Sequence, residues 1–165
     1  MMNPVIKYFQ GERAESFLFL VVGLAGMAIS SYMIFLKAPS YWKGFAIPFI
    51  LVSVLEIIVG ISLIYRSPKD IIRVENYIKN EQFKIKTDEI PRMEKVMKNF
   101  VFYRYLEIAL ILIGIILYFA STDADFWRGL GFGLFIQASI VLTLDYFAER
   151  RGFIYLEYLN SIIHE

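Results

Sequence analysis

Four runs of about twenty residues, each almost free of charge, divide this chain, and a run of that kind has few structural fates open to it. The hydrocarbon core of a bilayer is about 30 Å thick, and a helix rising about 1.5 Å per residue crosses it with about 20 apolar residues. Phe17 to Leu36 supplies such a run with no charge at all. Gly44 to Tyr65 is interrupted only by Glu56, and Pro48 falls near its start, where a missing backbone N–H costs least. Val101 to Ala120 carries Arg104 and Glu107 close to its beginning, and Phe126 to Phe147 carries Gln137 and Asp145. Backbone polar groups in hydrocarbon must be satisfied within the segment itself, so the expected fold is all-α: a polytopic membrane protein with four transmembrane helices. A hydrophobic fraction of 58% and a mean hydropathy of +0.54 agree with that class.

Position of charge then sets the orientation. The N-terminus (Lys7, Arg13), the central segment (Arg66 through Arg104) and the tail (Arg150, Arg151) hold 14 of the 17 Lys and Arg, and the two hairpin loops hold only Lys37, Lys43 and Arg128. By the positive-inside rule both termini are cytoplasmic. Tyr41, Trp42, Phe126 and Trp127 anchor the outer ends of the spans, and Tyr65, Phe100, Tyr103, Tyr146 and Phe147 the inner ones. The N-terminal stretch reads as a retained span rather than a secretory leader, and with short outer loops and no lipidation or sorting motif the expected location is the plasma membrane.

The same composition removes much chemistry. There is no cysteine, and the only histidine is His164, so zinc ribbons, iron–sulfur ligation, bis-histidine haem and Ser-His-Asp triads cannot be built within one chain. No phosphate-binding glycine loop, nucleophile elbow or Walker lysine occurs, and neither catalytic motif nor cofactor is expected. An oxygen-rich ligand set would suit Mg²⁺ or Ca²⁺ better than zinc, were a metal held at all.

The chain also repeats itself. Trp42-Lys43-Gly44 followed by an apolar run matches Trp127-Arg128-Gly129 and its run 85 residues on, Glu15 before span one has an analogue in Glu107 of span three, and Ile72-Arg73-Val74-Glu75 loosely echoes Ile154-Tyr155-Leu156-Glu157. The implied unit is a transmembrane hairpin followed by an amphipathic cytoplasmic helix, used twice in tandem as residues 1–80 and 81–165. Two spans return the chain to its starting side, so the copies are parallel, related by an axis along the membrane normal. Together they form one four-helix bundle.

Between the hairpins, Ser67, Pro68 and Asp70 read as a cap, a first helical position and a capping-box acid, predicting a helix to about Asn80 with Ile71, Val74 and Ile78 along its apolar stripe and Asp70 and Arg73 on its polar side. Thr87-Asp88-Glu89 predicts a second start that runs through Met93 and Val96 into span three. Nine Lys/Arg against six Asp/Glu over 66–99 suit anionic lipid headgroups and are too mixed for nucleic acid.

Charges inside spans are expensive unless they face protein or water. Glu56 lies near the midplane with no base within four residues, so it must be protonated, paired across helices, or wetted. In span four, Gly129, Gly133, Gln137, Val141, Asp145 and Glu149 recur at i, i+4 and form one small-and-polar face that should point inward. Gathering such stripes places Glu15, Glu56, Glu107 and Asp145 in one half of the bundle, with Arg104 and Arg13 as counter-charges and Arg104 also able to meet Glu107 on its own helix. These groups fix helix order, line a cation or proton path, or meet another copy of the chain. Two functions therefore follow as expectations. One is a non-enzymatic accessory or interaction subunit whose partners are the bilayer and either a membrane protein or further copies of itself. The other is a small carrier or channel using Glu56.

Overall fold

The computed structural model describes residues 4–35, 39–121 and 125–164. Leu36 and Lys37, placed by the sequence at the outer end of span one, lie outside the described residues. Every apolar run occupies one end of a longer helix: α1 (Pro4–Phe35), α2 (Ser40–Asn80), α3 (Ile90–Ala120) and α4 (Asp125–His164). Each of the four is long and apolar enough to cross a membrane. The 41 residues of α2 extend for about 60 Å, twice the hydrocarbon thickness, so half of that helix stands beyond the span.

The extra length lies where both chain termini lie, here called the terminal end; the α1–α2 and α3–α4 turns form the hairpin end. The sequence placed a helix start at Ser67-Pro68, but α2 passes straight through it and ends at Asn80 as expected. Pro68 cannot donate a hydrogen bond to Ile64 O, and beside it the Ser67 Oγ proton is divided between Leu63 O at 2.8 Å and Glu12 Oε2 at 3.0 Å, which ties the weakened turn to α1. The expected start at Thr87 is instead a π-helical turn, Ile85–Glu89, that runs into α3; Thr87 donates to the neighbouring Asp88 carboxylate at 2.7 Å. The wider turn buries Ile85 and Glu89 together.

In space the helices follow the order α1, α2, α4, α3. α1 packs along α2, α3 along α4, and the two hairpins meet through α2 and α4, with a lighter α1–α4 contact; α1 and α3 do not touch. What is buried changes with the solvent. Along the apolar runs of α1 and α2 the buried groups are mostly small or polar, such as Gly23 and Ser30 on α1 and Gly44, Ser53 and Gly60 on α2, while Val21, Leu51 and Ile58 point outward, as do Leu112 and Ile116 on α3. Lipid tails welcome large apolar side chains as well as a protein core does, so close backbone approach sets the contacts there. At the terminal end the order reverses: Val5, Tyr8, Phe9, Val74, Ile85, Met93, Tyr155 and Leu159 form an ordinary apolar core.

Gly44 and Gly129 make the tightest helix crossing. A Cβ on Gly44 would strike the Phe126 carbonyl oxygen and Leu130 N, and a Cβ on Gly129 would strike the Tyr41 carbonyl oxygen and Phe45 N. The two sets of contacts are reciprocal: a shift of 85 residues carries 41, 44 and 45 onto 126, 129 and 130. Gly133 lies against Phe45 in the same seam, so both expected packing glycines sit on the face of α4 that meets α2.

Candidate functional site

The polar groups expected in one half of the bundle fall into three separate places. The first lies among α1, α2 and α4. Glu56 is 4% exposed and Gln137 1%. Gln137 Nε2 donates to Glu56 Oε1 at 3.3 Å, so the Glu56 carboxyl is paired across helices with an amide and not with a base. Ser53 Oγ, Glu56 Oε2 and Gln137 Oε1 are buried there without a hydrogen-bond partner. Gly23 and Gly26 on α1 make room for this cluster, since a Cβ on either would press on Ser53.

The second lies between α3 and α4. Glu107 faces Asp145, carboxyl toward carboxyl, close enough to share a proton in a hydrogen bond, and Glu107 is buried in that seam. The expected pairing of Arg104 with Glu107 does not form; Arg104 reaches across to Glu149 instead. Spacing of three along one helix permits a pair, but α4 packs on this side of α3 and offers Arg104 a more exposed carboxylate, leaving Glu107 in the buried seam.

The third lies at the terminal end, and sequence reasoning largely missed it. Glu12, Arg66, Asp70, Arg73, Glu89 and Arg92 alternate in sign along a chain of ion pairs joining α1, α2, the π-helical turn and α3: Glu12–Arg66 at 3.3 Å, Arg66–Asp70 at 2.9 Å, Asp70–Arg73 at 2.8 Å, Arg73–Glu89 at 3.3 Å and Glu89–Arg92 at 2.6 Å. Glu89 is 1% exposed, and its carboxylate also accepts the Tyr155 hydroxyl at 3.0 Å and Arg92 Nε at 3.0 Å. Asp70, assigned by periodicity to a solvated face, is 3% exposed. The signal available beforehand was the spacing of Arg66, Asp70 and Arg73 and of Glu89 and Arg92, each three or four apart. Glu15 belongs to this end as well: Arg151 grips it with two guanidinium nitrogens, whereas Arg13, the expected counter-charge, lies over the Phe17 ring.

Tyr8 and Tyr155 stack at 4.2 Å within this core. Burial holds the Tyr155 hydroxyl well above the usual tyrosine range, with the Glu89 charge adding to it; burial does the same to Tyr8, helped by Glu12. Unfolded tyrosines release protons near pH 10 while these two keep theirs, so stability present below that pH is lost above it. Thermal unfolding followed in detergent from pH 8 to 11 should show the midpoint falling above about pH 10. The Tyr8→Phe/Tyr155→Phe variant should start from a lower midpoint and lose most of that dependence.

Among the described residues no group of three or more acidic or histidine side chains is placed to hold a metal ion. No protein-family model, curated protein or solved structure matches the chain.

Proposed function

We propose that this chain is a non-enzymatic accessory or interaction subunit, held in the plasma membrane by two tandem hairpins, that docks a membrane protein partner through its cytoplasmic terminal end. The observation that carries this reading is the division of apolar surface at that end. Val74, Tyr155 and Leu159 are already used in the chain's own core, yet Ile72, Phe83, Phe153 and Ile154, all beyond the apolar runs, are 71%, 66%, 53% and 59% exposed. Apolar groups left outside a core that is already filled mark a contact surface. The reciprocal Gly44 and Gly129 contacts support the tandem arrangement of residues 1–80 and 81–165 about an axis along the membrane normal, and the distribution of Lys and Arg supports the cytoplasmic placement of both termini.

A photo-crosslinking residue placed at Phe153 in cells tests the docking surface, with the same residue at Ile113, in the middle of α3, as the control. The expected result is a discrete protein adduct from position 153 and lipid adducts from 113. Lipid adducts alone from both positions would remove the docking surface.

One observation favours a second reading. The partnerless oxygens of Ser53, Glu56 and Gln137 form a polar site in the middle of the apolar runs, as a proton or cation carrier would need. In reconstituted vesicles Glu56→Gln should abolish coupled flux while leaving the fold intact. Flux equal to that of the parent would eliminate Glu56 as a transport site.

A further inference from the structure

A groove of about 380 Å³ runs between α1 and α4 at the terminal end, within the size range of ligand sites. Lys7, Tyr8 and Gly11 line it from one face of α1, and Phe147, Arg150 and Arg151 from one face of α4. Arg151 forms its floor. Gly11 leaves room for that side chain, since a Cβ there would come within 2.7 Å of Arg151 Cδ, and Glu15 takes both guanidinium ends, so the Arg151 charge is matched and its position fixed. Lys7 and Arg150 are exposed, and among the described residues no carboxylate pairs with either. No acid lines the groove, so two positive charges stand at it uncompensated.

The level of the groove is set by packing. Tyr8 stacks on Tyr155 and Gly11 meets Arg151, so antiparallel α1 and α4 bring Phe17, where the first apolar run starts, level with about Phe147, where the fourth ends. Arg150 stands three residues further, about 4.5 Å along the axis, within the layer of about 5 Å or more that headgroups occupy on each side of the hydrocarbon. Phe147 is exposed at that boundary, next to the charges. A basic groove between helices, opening at its membrane side onto an exposed aromatic ring, suits an anion that carries acyl chains.

We propose that this groove binds an anionic phospholipid of the adjacent leaflet, its phosphate at Arg150, its headgroup directed along the groove toward Lys7 and an acyl chain against Phe147. The assignment rests on the reading of the four helices as membrane spans. Of the residues given to the docking surface only Ile154 also lines the groove, and the purified chain tests the lipid site with no partner present.

Calorimetric titration of the purified chain in dodecyl maltoside with dioctanoyl phosphatidylglycerol tests it, with dioctanoyl phosphatidylcholine and glycerol 3-phosphate as comparisons. The expected result is saturable binding of one phosphatidylglycerol per chain, at least tenfold tighter than phosphatidylcholine. Lys7→Gln/Arg150→Gln should weaken it about 30-fold, a factor of about five for each cation. Both side chains are exposed and outside the ion-pair chain, so this variant should fold as the parent does. Lys69→Gln/Lys95→Gln removes the same charge from exposed positions outside the groove and should bind as the parent does. No saturable binding by the parent, equal binding of phosphatidylcholine, or equal losses in the two double variants would overturn the proposal, the last by reducing it to general charge attraction. Glycerol 3-phosphate bound as tightly as the lipid would assign the groove to a soluble phosphate and overturn the lipid assignment. Release of the chain from membranes by alkaline carbonate, checked first, would overturn the proposal by removing the spans; retention there without lipid binding would overturn the groove alone.

Discussion

Gly129→Ala should destabilise the protein by about 3 kcal/mol, the upper part of the usual range for overpacking, and Gly44→Ala by a similar amount. Alanine normally favours a helix over glycine by up to about 1 kcal/mol, so these substitutions would stabilise an isolated helix. Here the added methyl meets the Tyr41 carbonyl oxygen in one case and the Phe126 carbonyl oxygen in the other, and backbone cannot turn aside as a side chain can. The helices must separate, and α2 against α4 is the main contact joining the two hairpins. Gly152→Ala is the matched control. Its new methyl meets only the Met97 sulfur at 3.1 Å and the Met93 terminal carbon at 3.6 Å, both on flexible side chains, so little change is expected. Thermal unfolding of the three variants in one detergent checks the contrast. Equal midpoints for Gly129→Ala and Gly152→Ala would mean that the α2–α4 crossing is looser than described.

Arg92→Ala should cost about 3 kcal/mol, because it strips the closest partner from a carboxylate buried among three helices and the π-helical turn. Arg92 gives Glu89 two hydrogen bonds, at 2.6 and 3.0 Å, and the remaining partners are Arg73 at 3.3 Å and the Tyr155 hydroxyl at 3.0 Å. Arg92 is itself partly exposed, which keeps the expected loss at the lower end for a broken buried pair. Most of the cost is the stranded charge. Glu89→Gln added to Arg92→Ala should therefore recover part of the loss, and a double-mutant cycle measures how much. Lys84→Ala, which removes an exposed pair with Glu81, should produce no measurable change. A Glu89 carboxylate indifferent to Arg92 would show that the terminal end is held by its apolar core alone.

The four long apolar helices were legible because hydrocarbon thickness and backbone satisfaction favour a helix for an uncharged run such as Phe17 to Leu36. The inward faces were legible where small residues recur every four positions, as at Gly129 and Gly133. Partners across helices were not. Glu15 found Arg151 and Arg104 found Glu149, and no spacing within one helix specifies which face of a distant helix will arrive opposite. The sequence suggested an apolar stripe of Ile71, Val74 and Ile78, but periodicity cannot say whether such a face meets lipid, a partner or the chain itself. Val74 lies in the chain's own core, with Ile71 and Ile78 packed against it. The break expected at Ser67-Pro68 failed for a related reason, since the Glu12 carboxylate that steadies that turn comes from another helix. At the candidate site the residue types were legible, whereas the division into three separate polar clusters depended on the spatial order α1, α2, α4, α3.

Native mass spectrometry of the chain purified from its own membranes in mild detergent, run beside the Phe153→Ser/Ile154→Ser variant, tests the docking account most directly. The account predicts a second membrane protein in fixed ratio to the parent and its loss from the variant, with the subunit itself equally stable in both. The parent flying alone, or the same companion retained by the variant, would contradict it.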